Sequence, residues 1–439
     1  MKRLLLLAPI AALALASCSN DEQIAQSPAL NAQELTFRPA VNGTTRTVIT
    51  DANFDGFHVY AKIKDGTSYA FWPIQVNTTD PEHPVYSDPD AGEGNHEGAV
   101  TTLDFDVTKT DGKWQTINGK KWFWSSKNAE ASFRAYNESG TITVPNDVLV
   151  QKDVLVAYNE GVASSFDNGV PLLFRHVMSQ IVIKADNKDA DIRQIKVAAV
   201  RLHNIANKNT LNTTGLTTPT TADKFKWYNG TEGYNPWESA PTSTNDVQPY
   251  YYYKGTGAAP NAGTVSDFIT LNPTAQDITF DGPALLLPQT KTAATDLTTP
   301  AANGAYIDVL VQVQDLEEIA KLSSTDQTIK DSYSDNDAAI FPKINVVTTA
   351  NPTPNETLIN QKFAWVAVPV DIAWKPGYKY TYVLHFSKDG IGKVSPDEEG
   401  GNPDPGPQPG EEIVDNPVPL YFTVVIDEWN NADNTEKDL

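Results

Sequence analysis

Short runs of alternating apolar and polar residues, each closed by a turn rich in proline or glycine, set the limits on this fold. In Phe54–Ala61, the side chains of Phe57, Val59 and Ala61 fall on one side. In 169–186, Val170, Leu172, Phe174 and His176 share one phase, and Ile181, Ile183 and Ala185 another. A repeat of two is the period of a strand with one buried face, whereas a helix needs a repeat near 3.6. Similar runs occur at 34–38, 131–136, 153–158, 192–202, 284–287, 306–313, 362–370 and 378–386. Thirty prolines are spread through the 439 residues and interrupt most longer stretches. One short helix is expected at 316–322. The spacing favours two antiparallel β-sandwiches, with a domain boundary near Asn168.

The chain begins differently. Lys2 and Arg3 precede an apolar run from Leu4 to Ala16, which is too short to span a bilayer and reads as a secretory signal. It ends in Leu15, Ala16, Ser17 and Cys18, and Cys18 is the only cysteine in the chain. No disulfide within the chain is therefore available to it. The pattern resembles a bacterial lipobox, in which residues 1–17 are removed and Cys18 is acylated. The alternative is an ordinary signal with an incidental cysteine. Residues 18–33 read as a polar tether. Acids outnumber bases 55 to 33, for a net charge of −22. A chain so acidic repels nucleic acid and anionic headgroups.

Two segments break the strand rhythm. Residues 204–262 form a long insertion rich in Thr, Asn and Gly that carries Trp227, Trp237 and several tyrosines. Trp227 and Trp237 are candidates to stack on sugar rings, which would make the protein a surface glycan binder; the alternative is that these rings cover the second sandwich. Residues 396–419 hold seven prolines and seven acids and no base, so they are expected to be an extended linker. Beyond it, Leu420, Phe422, Val424 and Ile426 line one face of a strand that Trp429 closes. An apolar strand at the end of a linker either completes its own domain or recruits a partner.

Chemistry of the enzymatic kind is weakly represented. His58, His83, His96, His176, His203 and His385 are scattered without metal-ligand spacing, and there is no phosphate-binding glycine loop. His176 is expected to be a buried, hydrogen-bonded residue. The acidic segment 80–97 lacks an ordered calcium loop. No enzyme activity, cofactor or metal is expected.

Several pieces together resemble the fimbrillins of type V pili and their Mfa-like relatives from gut and oral Gram-negative anaerobes. They are the lipobox at Cys18; a strand followed by Thr45 and Arg46; the segments 153–157, 171–181 and 377–382; and the terminal run 422–429. The resemblance implies two transthyretin-like sandwich domains, at 34–168 and 169–395, and an outer membrane lipoprotein displayed in a surface fimbrium that supports cell adhesion. It also implies assembly with other pilus subunits, in a homo- or heteropolymer. An arginine-specific surface protease would remove the first strand (about 34–41), and a C-terminal segment (420–439) from a neighbour would fill the groove. Leu420, Phe422, Val424, Ile426 and Trp429 are then the donor residues.

The residues themselves favour one cleavage position. Arg134, Arg175, Arg193 and Arg201 lie in strand-like stretches, and Arg38 is followed by Pro39. Arg46 sits among small, flexible residues, as nicking sites do, although an ordinary surface arginine would look the same.

Overall fold

The computed structural model describes residues 33–41, 53–64, 69–77, 85–87, 100–116, 121–212, 228–229, 233–234, 236–237, 240–241, 250–253, 265, 267–279, 282–299, 304–332, 335–343, 362–396, 407–415 and 417–428. The fold is all-β with short helices. The first part of the chain contributes β1 (Phe37–Val41), β2 (Gly56–Ile63), β3 (Phe71–Asn77), β4 (Val85–Ser87), β5 (Thr102–Thr110), β6 (Lys113–Thr116), β7 (Lys121–Trp124), β8 (Glu130–Tyr136), β9 (Leu155–Val162) and β10 (Val170–His176). They form a seven-stranded sheet, β1-β10-β9-β8-β2-β5-β6, and a three-stranded one, β4-β3-β7. Between them lies a core that includes Phe37, Phe57, Val59, Phe71, Trp124, Phe133 and Phe174.

The second part contributes β11 (Ser179–Asn187), β12 (Arg193–His203), β13 (Tyr250–Tyr253), β14 (Ala284–Leu286), β15 (Tyr306–Asp315), β16 (Ala364–Pro369), β17 (Tyr378–Phe386) and β18 (Tyr421–Glu428). One sheet places β11 beside β17 and β17 beside β18, with β14 also on β11; the other runs β13-β12-β15-β16. A large apolar core, with Ile181, Ile183, Val197, Val309, Val311, Val366, Tyr382 and Leu384, fills the space between. After β15 comes α1 (Leu316–Leu322), at the expected residues. Its start is fixed by the Asp315 carboxylate, which accepts from the backbone N–H groups of Glu317 and Glu318, satisfying two otherwise orphaned donors.

Period-two reading does not explain why β8 is buried along almost its whole length. Its two faces serve different cores. Phe133 and Ala135 enter the first core, while Tyr136, with Tyr60 of β2 and Val156 of β9, joins the second. A sheet covered on both faces buries its polar side chains as well: Ser132 and Arg134, in phase with Tyr136, are buried too. The second core therefore reaches across to the outer face of the first large sheet. Backbone links reinforce the junction: residues 141–143 pair with 208–210, and the Leu285 N–H donates to the Gln151 side chain at 2.7 Å.

The sandwiches are mainly antiparallel, with one parallel pair in each: β1 with β10 and β11 with β17. The proline-rich segment corrects a second expectation. Residues 407–415 are docked rather than extended. Ile413 is buried within the second core, Gly410 N–H donates to the Val394 carbonyl, and Val394 N–H donates to the Glu411 carbonyl. Gly410 takes a left-handed φ of +83°, and an added Cβ would lie 3.0 Å from the Leu297 backbone. Two apolar residues, Ile413 in the core and Val414 packed against it, and one tight glycine turn pin a segment whose composition reads as solvent-exposed.

Candidate functional site

The first strand lies in a seat made by both sheets of the first sandwich. Before β1, residues 33–35 pair with β7: Leu35 N–H donates to the Trp122 carbonyl at 2.7 Å, and Trp124 N–H donates to the Gln33 carbonyl at 3.0 Å. The chain then crosses over and runs parallel to β10, with Phe37 opposite Val170 and Val41 opposite Phe174. Residues 33–41 thus close the gap between the two sheets. The strand expected over 34–38 is in fact divided, with its ladder proper beginning at Phe37.

Alternate side chains point into the core. Leu35 is 4%, Phe37 7% and Val41 7% exposed. The Phe37 ring meets Phe57, Phe105 and Phe133 at centroid distances of 6.0, 6.2 and 6.0 Å. Gly169 makes the crossing possible. Its φ is +92°, and a Cβ there would stand 2.7 Å from Thr36 Oγ1 and 3.2 Å from the Thr36 backbone. At the foot of the seat, an open cleft of about 340 Å³ lies between Leu35, Phe37, Trp114 and Trp122, and Lys121 bridges to Glu34 at 3.1 Å beside it.

The last strand, β18, is an edge strand as well. It pairs antiparallel with β17, Leu384 opposite Phe422 and Tyr380 opposite Ile426. Leu420 and Phe422 pack against the second core, yet Val424 is 38% and Ile426 58% exposed. The outward residues Tyr421 and Val425 are 56% and 51% exposed. Besides the ladder, His385 holds this strand: its ring stacks on Tyr421 at 4.7 Å, Nε2 lies 3.1 Å from Thr423 Oγ1, and Nδ1 lies 2.9 Å from Asp186. Beneath Phe422, burial pushes the Tyr382 hydroxyl up to about 12, and Trp374 Nε1 donates to it at 2.9 Å. Trp429 lies outside the described residues.

Of the seven arginines in the sequence, five lie inside described strands: Arg38 in β1, Arg134 in β8, Arg175 in β10, and Arg193 and Arg201 in β12. Burial lowers the Arg134 guanidinium to about 9. Arg201 stacks on Trp365 at 3.9 Å and donates through Nε to Asp308 at 2.9 Å. Arg3 and Arg46 lie outside the described residues, as do Cys18, Trp227, His83 and His96.

Trp237 is corrected. It is 8% exposed, its Nε1 donates to the Val177 carbonyl at 3.0 Å, and it belongs to the second core. Its ring has no open face for a sugar.

The described histidines all lie beside carboxylates, an association the sequence spacing concealed. His58 bridges Asp104 and Asp106. His176, fully buried as expected, lies 2.7 Å from Asp153, and His203 lies 2.9 Å from Asp308. Ser395 Oγ also donates to Asp308, at 2.8 Å, so serine and histidine share the carboxylate instead of forming a nucleophile–base relay. Among the described residues no group of three or more His, Cys, Asp or Glu side chains could hold a metal ion. No helix among them is long and apolar enough to cross a membrane.

The sequence profile of a family described as fimbrillin-like matches residues 84–397. No curated protein matches the chain. Among solved structures, a fimbrial protein from Bacteroides vulgatus ATCC 8482 is 13% identical, covering 90% of this chain and 99% of its own, with a TM-score of 0.44. A protein from Bacteroides uniformis ATCC 8492, provisionally described as a cell adhesion protein, is 13% identical over 92% of this chain and 99% of its own, with a TM-score of 0.35. One from Bacteroides ovatus ATCC 8483, described in the same way, is 12% identical over 92% and 99%, with a TM-score of 0.36.

Proposed function

The chain belongs to the fimbrillin-like family, and from that premise we propose that it is a structural subunit of a cell-surface pilus that matures by losing its first strand. The observation that carries this reading is the seat of residues 33–41. That segment is held along two sheet edges, β7 and β10, and Val41 is followed five residues later by Arg46. Cutting after Arg46 severs the segment from the rest of the chain. Its departure leaves two unpaired edges and a groove that has lost Leu35, Phe37 and Val41. Each of these contributes about 1.5–3 kcal/mol when fully buried, so the cut subunit is strongly driven to accept a replacement strand.

The arginine pattern supports a single cleavage position. Five arginines sit within strands, where the backbone is not free to extend into a protease cleft. The leader and Cys18 support export and lipid anchoring at the outer membrane, where a neighbour's C-terminal strand would reach the groove. A pilus of such subunits supports adhesion.

The test treats purified lipid-free protein with an arginine-specific protease. Expected are one cut after Arg46, loss of the N-terminal piece, and ladders that resist SDS. An Arg46→Ala variant that still forms ladders after this treatment overturns the mechanism. Anchoring is checked separately by incorporation of labelled palmitate, which Cys18→Ser abolishes.

A further inference from the structure

The cleft of about 340 Å³ beside residues 34–37 is lined by two half-buried indoles, Trp114 of β6 and Trp122 of β7. The charge around them runs against the rest of the molecule. Acids outnumber bases 55 to 33 in the chain, yet Lys113 and Lys121 both line this cleft, and Glu34 is the only acid among the described residues that do. Lys121 already covers that acid, with Nζ 3.1 Å from Oε2. A third base, Lys109, holds its Nζ 5.5 Å from the centre of the Trp114 ring. We propose that the cleft binds a short acidic saccharide, a pyranose bearing a carboxylate, with its ring against the indoles and its carboxylate beside Lys113.

The walls are set by strand geometry. Asp111 and Gly112 take left-handed φ values of +52° and +77°, as a tight hairpin between β5 and β6 requires. That turn puts Lys109 opposite Trp114 in the ladder. On the core side, the Trp114 ring meets Phe54 and Phe57 at 5.5 and 5.3 Å. Trp122 is held from both sides, opposite Pro73 of β3 and by the Leu35 N–H on its carbonyl. Both rings are therefore placed before a ligand arrives, which lowers the ordering cost of binding. The strand pleat also sorts the charges. Val107 of β5 lines the cleft, so Asp104 and Asp106, one residue either side of Phe105, face the opposite way, where His58 bridges them.

The lining chemistry selects the ligand class. Indoles suit the C–H face of a pyranose, and Gln115 and Thr116 supply both donors and acceptors for hydroxyl groups. The lysines favour a carboxylated sugar over its neutral counterpart. A bare anion would leave the indoles without a role, and a wholly apolar ligand would strip water from the lysines without compensation. Binding does not rest on the proposed maturation, but it is linked to it. Leu35 and Phe37 also line the cleft, and both belong to the segment that the proposed cut releases. The site is thus a property of the uncut chain, and a bound sugar opposes release of that segment.

The test is calorimetric titration of the uncut, lipid-free chain with two probes, digalacturonate and the methyl glycoside of N-acetylneuraminic acid. Each is compared with its methyl ester, which keeps the rings and removes the charge. Expected is affinity on the order of tenfold higher for at least one acid than for its ester, and the probe that binds tells a polyuronate from a sialylated glycan. Lys113 is exposed, so Lys113→Glu is expected to keep the urea midpoint and to weaken binding by about tenfold. Trp122→Ala is expected to weaken it as well, and added salt to weaken the acid but not the ester. No binding of either acid, equal binding of acid and ester, or binding that Lys113→Glu leaves unchanged overturns the inference. So does undiminished binding by a cut chain that has lost residues 33–41. A chain that binds the acid but resists the arginine-specific protease overturns the proposed function and leaves this inference standing.

Discussion

The two terminal strands of the described fold are both edge strands, and they are held in opposite ways. β1 is short, carries a proline and pairs parallel with β10, yet the segment leading into it also pairs with β7, and its alternate side chains are buried. β18 is longer and regular and keeps eight paired positions on β17, yet much of its apolar face is open. Backbone pairing and burial, which usually accompany each other in a sheet, are separated here. The strand with the weaker ladder fills the core, and the strand with the stronger ladder has nowhere at home to put all its side chains. Edge strands are hazards because they recruit partners; under the proposed assembly, a strand both well ordered and half uncovered turns that hazard to use.

The sharpest way to break this comparison is to remove each strand in turn. Deleting residues 18–46 is expected to lower stability by on the order of 5 kcal/mol or more, since three buried apolar side chains leave together, whereas deleting 417–439 costs about 2 kcal/mol. Urea titration of both truncations measures the difference, and equal losses would end the contrast. Single side chains sharpen it. Phe37→Ala is expected to cost about 3–5 kcal/mol, as for a core phenylalanine, and Phe422→Ala only about 1–2 kcal/mol; a reversed order in the urea midpoints would place the functional core under the wrong strand.

A smaller effect tests the crossing. Gly169→Ala forces a Cβ against Thr36 at a left-handed φ, and about 1–3 kcal/mol is expected, together with faster exchange of the Val170 amide, which donates to the Thr36 carbonyl. An unchanged exchange rate would show that the first strand does not depend on this approach. The smallest effect is at the other strand: Thr423→Val removes the contact to His385 and is expected to cost about 0.5–1.5 kcal/mol, read as a shift in the urea midpoint.

Much of the strand content was legible because one-sided burial leaves a repeat of two. β17 and α1 fall on the expected residues, and β12 and β15 lie within two residues of theirs. Partners were not legible. Nothing in Leu35 to Val41 announces that its neighbours are β7 on one side and β10 on the other, because pairing depends on edges brought together from distant parts of the chain. Composition misled where a few residues outweighed many: Ile413 anchors an acidic, proline-rich stretch, and Trp237 is core inside a segment otherwise rich in Thr, Asn and Gly. His176 was legible from its phase with Phe174, but its Asp153 partner, 23 residues away, was not.

The confinement of five arginines to strands has a bearing on how defective copies are handled. A folded subunit withholds Arg38, Arg134, Arg175, Arg193 and Arg201 from any enzyme that needs a loose backbone. A copy that has failed to fold offers all five at once. Under the proposed maturation, the cut that readies a sound subunit for the filament would dismantle an unsound one, and the same enzyme would serve as assembler and inspector.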